Sequence, residues 1–189
     1  MVVVFDVDDI LWGLNYFVTN KLDIDINLIK KFSINDNDTL SLEQKSSIIK
    51  EYRNPDTLSK LSWFDGVEDL NALQRDGVEV RIKSNCLSEE IKYIKLKRLI
   101  DILNIPIENI QLDVITMSEI KKKEISDDVD IFVDDSPYNI VSSNAKLNLM
   151  IRYPWNISDE AKELVRNKNV RYFDSLNEVI SYIRSVMKA

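Results

Sequence analysis

Apolar residues recur in short runs along the chain, and two of those runs end in carboxylates. Val2 to Phe5 is an unbroken stretch of β-branched and aromatic residues, the pattern of a strand buried on both faces of a parallel sheet. Val78, Val80 and Ile82 alternate with polar residues and predict a second strand ending at Ser84. Gln111 to Ile115, Ile131 to Val133, Leu147 to Ile151 and Val170 to Phe173 predict four more. Helical spacing fills the intervals. From Leu11 to Phe64 the pattern is helical and amphipathic, with Ser41-Leu42-Glu43-Gln44 reading as a capping box before Ile48, Ile49 and Tyr52. A helix carrying Leu70 and Leu73 starts at Asp65 to Glu68 and is closed by Gly77, and Ser88 opens a longer one through Ile91, Ile94, Leu99 and Leu103 that stops before Pro106. Ser175 to Glu178 caps a terminal helix bearing Val179, Ile183 and Val186. Strands alternating with helices predict an α/β fold with a doubly wound parallel sheet.

The polar residues at the strand ends carry the candidate chemistry. Side chains alternate along a strand, so Asp6 and Asp8 share one side at the carboxyl end of the first strand, with Asp9 following. Ligands of open α/β sheets bind at that edge. Clustered carboxylates raise each other's pKa unless a hard cation such as Mg2+ neutralises them. Val129 to Pro137 repeats the grammar: an apolar strand, then Asp134, Asp135 and a Ser-Pro stop. Ser84, before a helix N-terminus, offers a hydroxyl and neighbouring amides to a phosphate. A lysine from Lys121, Lys122 and Lys123 can balance the charge. Taken singly, each feature also reads as an acidic turn, a cap or a solvated helix face; two acidic strand ends in one chain favour a divalent-metal site.

With these residues in order, the chain resembles the haloacid dehalogenase-like phosphohydrolases: Phe5-Asp6-Val7-Asp8, then Ser84, a lysine, and Phe132-Val133-Asp134-Asp135. Trp63-Phe64-Asp65-Gly66, Asp134-Asp135-Ser136-Pro137 and Tyr153-Pro154-Trp155-Asn156 look like the 5'(3')-deoxyribonucleotidase branch. The resemblance implies a Rossmann-like core over residues 1–10 and 65–189, with a small helical cap inserted after the first strand over 11–64. It implies Asp6 as nucleophile and Asp8 as general acid and base. It implies Mg2+ held by Asp6, the backbone carbonyl of Asp8, and Asp134 or Asp135. Phosphate would be bound by Ser84, Asn85 and Lys123, the lysine best in register among the three. The implied substrate is a small phosphorylated compound, a nucleoside monophosphate by the finer resemblance, with Trp12, Trp63 and Phe64 forming an aromatic slot. Asp9 stands where that branch has glycine, and Ser84 where the family more often has threonine.

Composition narrows the alternatives. The 189 residues suffice for one domain with a modest insertion, and a net charge of −7 argues against general nucleic-acid binding. The chain has no histidine, which excludes Ser-His-Asp triads, Cys-His pairs and His-based zinc sites. Cys86 is the single cysteine, so no internal disulfide forms and a cytoplasmic setting is expected. No membrane span or standard signal segment is expected. A homodimer is compatible with all of this. A receiver domain uses similar groups in another order, and the fifty-residue block after strand one has no place there. A non-catalytic relative that binds a phosphorylated ligand or partner is the remaining alternative.

Overall fold

The computed structural model describes residues 1–115 and 123–187. Six parallel strands form one sheet: β1 Val2–Phe5, β2 Glu79–Cys86, β3 Ile110–Val114, β4 Ile131–Val133, β5 Leu147–Ile151 and β6 Val170–Phe173. Their order is β3-β2-β1-β4-β5-β6. This is the doubly wound, Rossmann-like order, in which the chain direction across the sheet reverses between β1 and β4 and opens a crevice at their carboxyl ends. Phe5 pairs with Val133 in that register, so Asp6 and Asp134 each follow the last paired residue of neighbouring strands. The Asp6 amide donates to the Val133 carbonyl at 2.9 Å and closes the pair.

Helices cover both faces: α4 Asp69–Arg75, α5 Glu89–Ile102 and α8 Leu176–Met187 lie over one core cluster, which also holds Val3, Phe5, Val80 and Ile82. The opposite face packs Val4, Phe132 and Met150 against Ile140 of α6 (Pro137–Ser142) and Val165 beyond α7 (Asp159–Leu164). The central strands read as continuous apolar runs because both of their faces are covered. Strand β2 continues two residues past the expected end at Ser84, since Asn85 and Cys86 pair with Asp113 and Val114 of β3.

The segment between β1 and α4 holds α1 Leu14–Lys21, α2 Leu42–Tyr52 and α3 Pro55–Ser59. The Ser41–Gln44 capping box is present at the start of α2. Residues 22–41 depart from the helical expectation and form loops with two single 3-10 turns, 26–28 and 34–36. Asn37 holds residues 30–33 out of a helix. Its buried amide accepts from the backbone amides of Lys30 and Lys31 and donates to the carbonyls of Lys31 and Ser33, a local competitor for helical hydrogen bonds. Ile24, Ile29, Ile34, Ile48, Leu58 and Leu61 of the insertion belong to the same core cluster as the sheet. Among the described residues no helix is long and apolar enough to cross a membrane.

Two glycines hold left-handed backbone where the insertion returns and where α4 ends, Gly66 at φ +96° and Gly77 at φ +91°. A methyl at Gly77 meets open space, whereas one at Gly66 would collide with Oδ1 of Asn177. Gly77→Ala is therefore expected to cost about 1–2 kcal/mol for the backbone alone, and Gly66→Ala more than that. Urea unfolding of the two variants checks the order, and equal losses would show that Asn177 can move aside.

Candidate active site

Three carboxylates meet at the crevice between β1 and β4. Oxygens of Asp6, Asp134 and Asp135 lie within 4.8 Å of one another, and all three residues are buried. Lys123 reaches the same point, its Nζ 2.6 Å from Asp6 and 2.8 Å from Asp134. Lys121 and Lys122 lie outside the described residues, and the lysine seen in place is Lys123. Burial alone would lower the Lys123 pKa, but the facing Asp134 and Asp6 carboxylates raise it, so it remains an ammonium.

One ammonium does not balance three carboxylates. Burial pushes the Asp134 carboxyl up to about 6, although Lys123 and the Ser136 amide pull it down. Burial also raises Asp135 well above the usual carboxylate range, with Asp134, Asp9 and Asp6 adding repulsion. An oxygen-lined, electron-rich pocket of this kind fits a hard divalent cation such as Mg2+. The hydrogen bonds divide the labour between the adjacent aspartates. Asp134 accepts from Lys123 at 2.8 Å, Ser136 N at 2.7 Å and Asn139 Nδ2 at 3.1 Å, which engages both of its oxygens. Asp135 accepts from the Trp155 indole at 2.8 Å on Oδ2.

Asp8 lies outside this cluster. Its Oδ1 accepts from the Trp12 indole at 2.7 Å and its Oδ2 from Lys95 at 2.5 Å. Asp9 adopts φ +57°, left-handed backbone that glycine takes freely and aspartate tolerates. Its carboxylate turns away from the cluster to Asn15, accepting from the backbone amide at 3.0 Å and from Nδ2 at 2.7 Å. Burial raises the Asp9 carboxyl to about 8. Ser84 is buried with its Oγ 3.2 Å from Lys95, and the Asn85 carbonyl accepts from the same ammonium at 2.9 Å. Burial lifts the Cys86 thiol to about 11, which suits a packing residue and not a nucleophile.

The aromatic slot expected from Trp12, Trp63 and Phe64 is filled from within. Trp12 is fully buried and packs on Trp63 with ring centroids 4.8 Å apart, while the Arg98 guanidinium lies over both rings at 4.6 and 4.9 Å. Phe64 is half-buried; its amide donates to the Leu11 carbonyl at 2.8 Å, where the insertion rejoins the core. Arg98 also donates to the carbonyls of Leu58 and Leu61 and so ties the end of the insertion to α5. A cavity of 410 Å³ beside Trp155 is lined by Lys30, Phe32, Tyr138, Glu160 and Glu163 and by none of Asp6, Asp134 and Asp135.

Lys95 and Arg98 were invisible to motif reading. The signal for Lys95 lay in α5, where Ile91, Lys95 and Leu99 fall at i, i+4 and i+8 and place a lysine in the buried stripe.

No family model matches the chain, and no curated protein sequence matches it. Solved structures do. A haloacid dehalogenase-like family hydrolase from Streptococcus pneumoniae superposes with a TM-score of 0.56 at 14% identity, over 96% of this chain and 97% of that one. A hydrolase from Pseudomonas syringae gives 0.58 at 12% identity over 98% of both. The chain has the haloacid dehalogenase-like fold. At such identities the likeness concerns the fold, and the strand-end carboxylates described above occupy the crevice that this fold opens.

The raised carboxyls fix a sign for pH. A carboxyl whose pKa is higher folded than unfolded binds more protons in the native state, so stability falls as pH rises from about 4, the unfolded value, through the folded one. For Asp134 and Asp9 that window runs to about 6 and about 8. Metal-free protein is expected to melt lower at pH 8 than at pH 6. Added Mg2+ should raise the melting temperature more at pH 8, where protons no longer compete, with about 2.7 kcal/mol gained at a hundredfold excess over Kd. Thermal melts with Mg2+ and with EDTA at the two pH values check this, and an equal Mg2+ effect at both would contradict it.

Proposed function

We propose that the protein is a Mg2+-dependent phosphohydrolase that cleaves a phosphate monoester through a phospho-aspartate at Asp6, with a nucleoside monophosphate as substrate. The observation that carries the reading is the buried Asp6–Lys123–Asp134 arrangement at the sheet's switch point, with Asp135 adding a further carboxylate. Asp6 would attack phosphorus while the ester P–O bond breaks, and Asp8 would give its proton to the leaving oxygen. Water would then attack the phospho-aspartate and pass a proton to Asp8, releasing phosphate and restoring Asp6. Lys123 and the Ser84 hydroxyl would hold phosphate oxygens. Asp6, Asp135 and the Asp8 carbonyl would hold Mg2+, with Asp134 already committed to Lys123, Ser136 and Asn139. The cation would supply charge neutralisation for phosphoryl transfer. We read residues 11–64 as a cap that limits water at this edge.

The nucleotide assignment rests on the Trp63 to Gly66 and Tyr153 to Asn156 segments. The latter braces the site: Tyr153 stacks on Trp155 at 4.5 Å and donates its hydroxyl to the Asp9 carbonyl at 2.6 Å. Asn156 donates to the Asp135 and Ile151 carbonyls at 3.0 and 2.8 Å.

Phosphate release from deoxy- and ribonucleoside 5'- and 3'-monophosphates and from p-nitrophenyl phosphate, with Mg2+ or EDTA, tests the reading. Metal-dependent release that Asp6→Asn abolishes is expected, with nucleotides preferred. No preference over p-nitrophenyl phosphate would remove the nucleotidase assignment, and no release from any ester would remove the phosphohydrolase.

A further inference from the structure

A lysine in the apolar stripe of a helix is costly to bury unless every donor finds a partner. Lys95 is 2% exposed, as is Ile91 one turn before it, and Leu99 one turn after is fully buried. Its ammonium has three N–H donors and three acceptors facing it: Asp8 Oδ2 at 2.5 Å, the Asn85 carbonyl at 2.9 Å and Ser84 Oγ at 3.2 Å. No donor remains for a substrate phosphate. Lys95 thus differs from Lys123, which sits among the clustered carboxylates.

We infer that Lys95 is a positioning residue that fixes the Asp8 carboxylate for proton transfer and registers it against Ser84; the inference rests on the phosphohydrolase reading of the same site. Asp8 is gripped from two sides, by Lys95 on Oδ2 and by the Trp12 indole at 2.7 Å on Oδ1. Its side chain nevertheless stays 26% exposed, so the carboxyl is held without being closed off. The second grip is itself fixed, because the buried Trp12 ring packs against both the Trp63 ring and the Arg98 guanidinium. Lys95 and Arg98 are one turn apart on α5, so a single helix face secures the proposed proton donor and the end of the insertion. A proton donor must stay within hydrogen-bond reach of the leaving oxygen, and a misplacement of about 1 Å costs on the order of 10²-fold in rate.

The test is a cycle of native protein, Lys95→Met, Asp8→Asn and the double variant, with kcat and KM measured on the best ester of the panel. Lys95→Met, which keeps the side chain's length and removes its charge, is expected to lower kcat on the order of 10²-fold and to leave KM within about threefold. In the Asp8→Asn background the same change should cost less than about threefold, because Lys95 acts through Asp8. A rise in KM with kcat kept, or a full additional loss in the double variant, would overturn the inference. If Lys95→Met alone fails to fold, the double variant, in which neither charge is left without its partner, is compared with Asp8→Asn, in which the Lys95 ammonium keeps the Asn85 carbonyl and Ser84 Oγ; a difference above about threefold would overturn the inference. If the native chain releases phosphate from no ester, the phosphohydrolase reading falls. A crystal structure of Lys95→Met, or of the double variant if the single does not fold, then still decides the positioning: the residue 8 side chain unmoved beside Trp12 and Ser84 would refute it.

Discussion

The burial of three carboxylates around one ammonium is the constraint on which the rest of the site depends. Removing one partner of a buried pair costs about 3–5 kcal/mol, because the other charge is left without compensation. Lys123 serves two of the carboxylates, and the remaining neighbours share what it leaves over. Ser136 N and Asn139 Nδ2, from the start of α6, bind Asp134; the Trp155 indole binds Asp135. Each is neutral and stabilises negative charge without cancelling it, which is the setting a hard cation would complete. Asp9, three residues beyond Asp6, adds to the field on Asp135 while its own oxygens stay with Asn15.

Topology brings the charges together. The β3-β2-β1-β4-β5-β6 order makes β1 and β4 neighbours although more than a hundred residues separate them in sequence, and their register sets Asp6 beside Asp134. The insertion leaves the core after Asp8 and returns at Phe64, and both passages converge on Trp12, through the bridges Asp8–Trp12 and Trp12–Trp63. Helix α5 holds both sides of this junction, Arg98 at the Leu58 and Leu61 carbonyls and Lys95 at the Asp8 carboxylate.

The sheet and its acidic edge were legible because apolar runs and terminal aspartates are local signals, each read within ten residues. Lys95 was not, because it lies between Lys92 and Lys97 and looks like part of a solvated lysine face. Only its phase relative to Ile91 and Leu99 separates it from them, and a phase becomes informative once the helix is known to pack on the sheet. Trp12 shows the converse: an aromatic close to the acidic strand end suggested a ligand slot, and its ring is buried, packed against Trp63 and hydrogen-bonded to Asp8. Within the loops of residues 22–41, the stretch 30–33 departs from the helical reading because Asn37 takes up its backbone groups through four bonds that periodicity does not report.

The segment Tyr153 to Asn156 braces the acidic site from beyond β5. Phosphoryl transfer asks little covalent chemistry of a protein and much positioning, so the groups that hold the aspartates are under as tight a constraint as the aspartates. Tyr153 ties the end of β5 to the Asp9 carbonyl beyond β1, Trp155 holds the Asp135 carboxylate beyond β4, and Asn156 closes the turn on Asp135 and Ile151. Three strand ends are thereby fixed to one four-residue turn, with Tyr153 and Trp155 stacked as its rigid core. Lys95 does on the β2 side what this turn does on the β5 side. The two braces flank β1 and β4, and between them the carboxylates have little freedom to relax away from their mutual repulsion, which is the condition under which a bound cation gains most from entering.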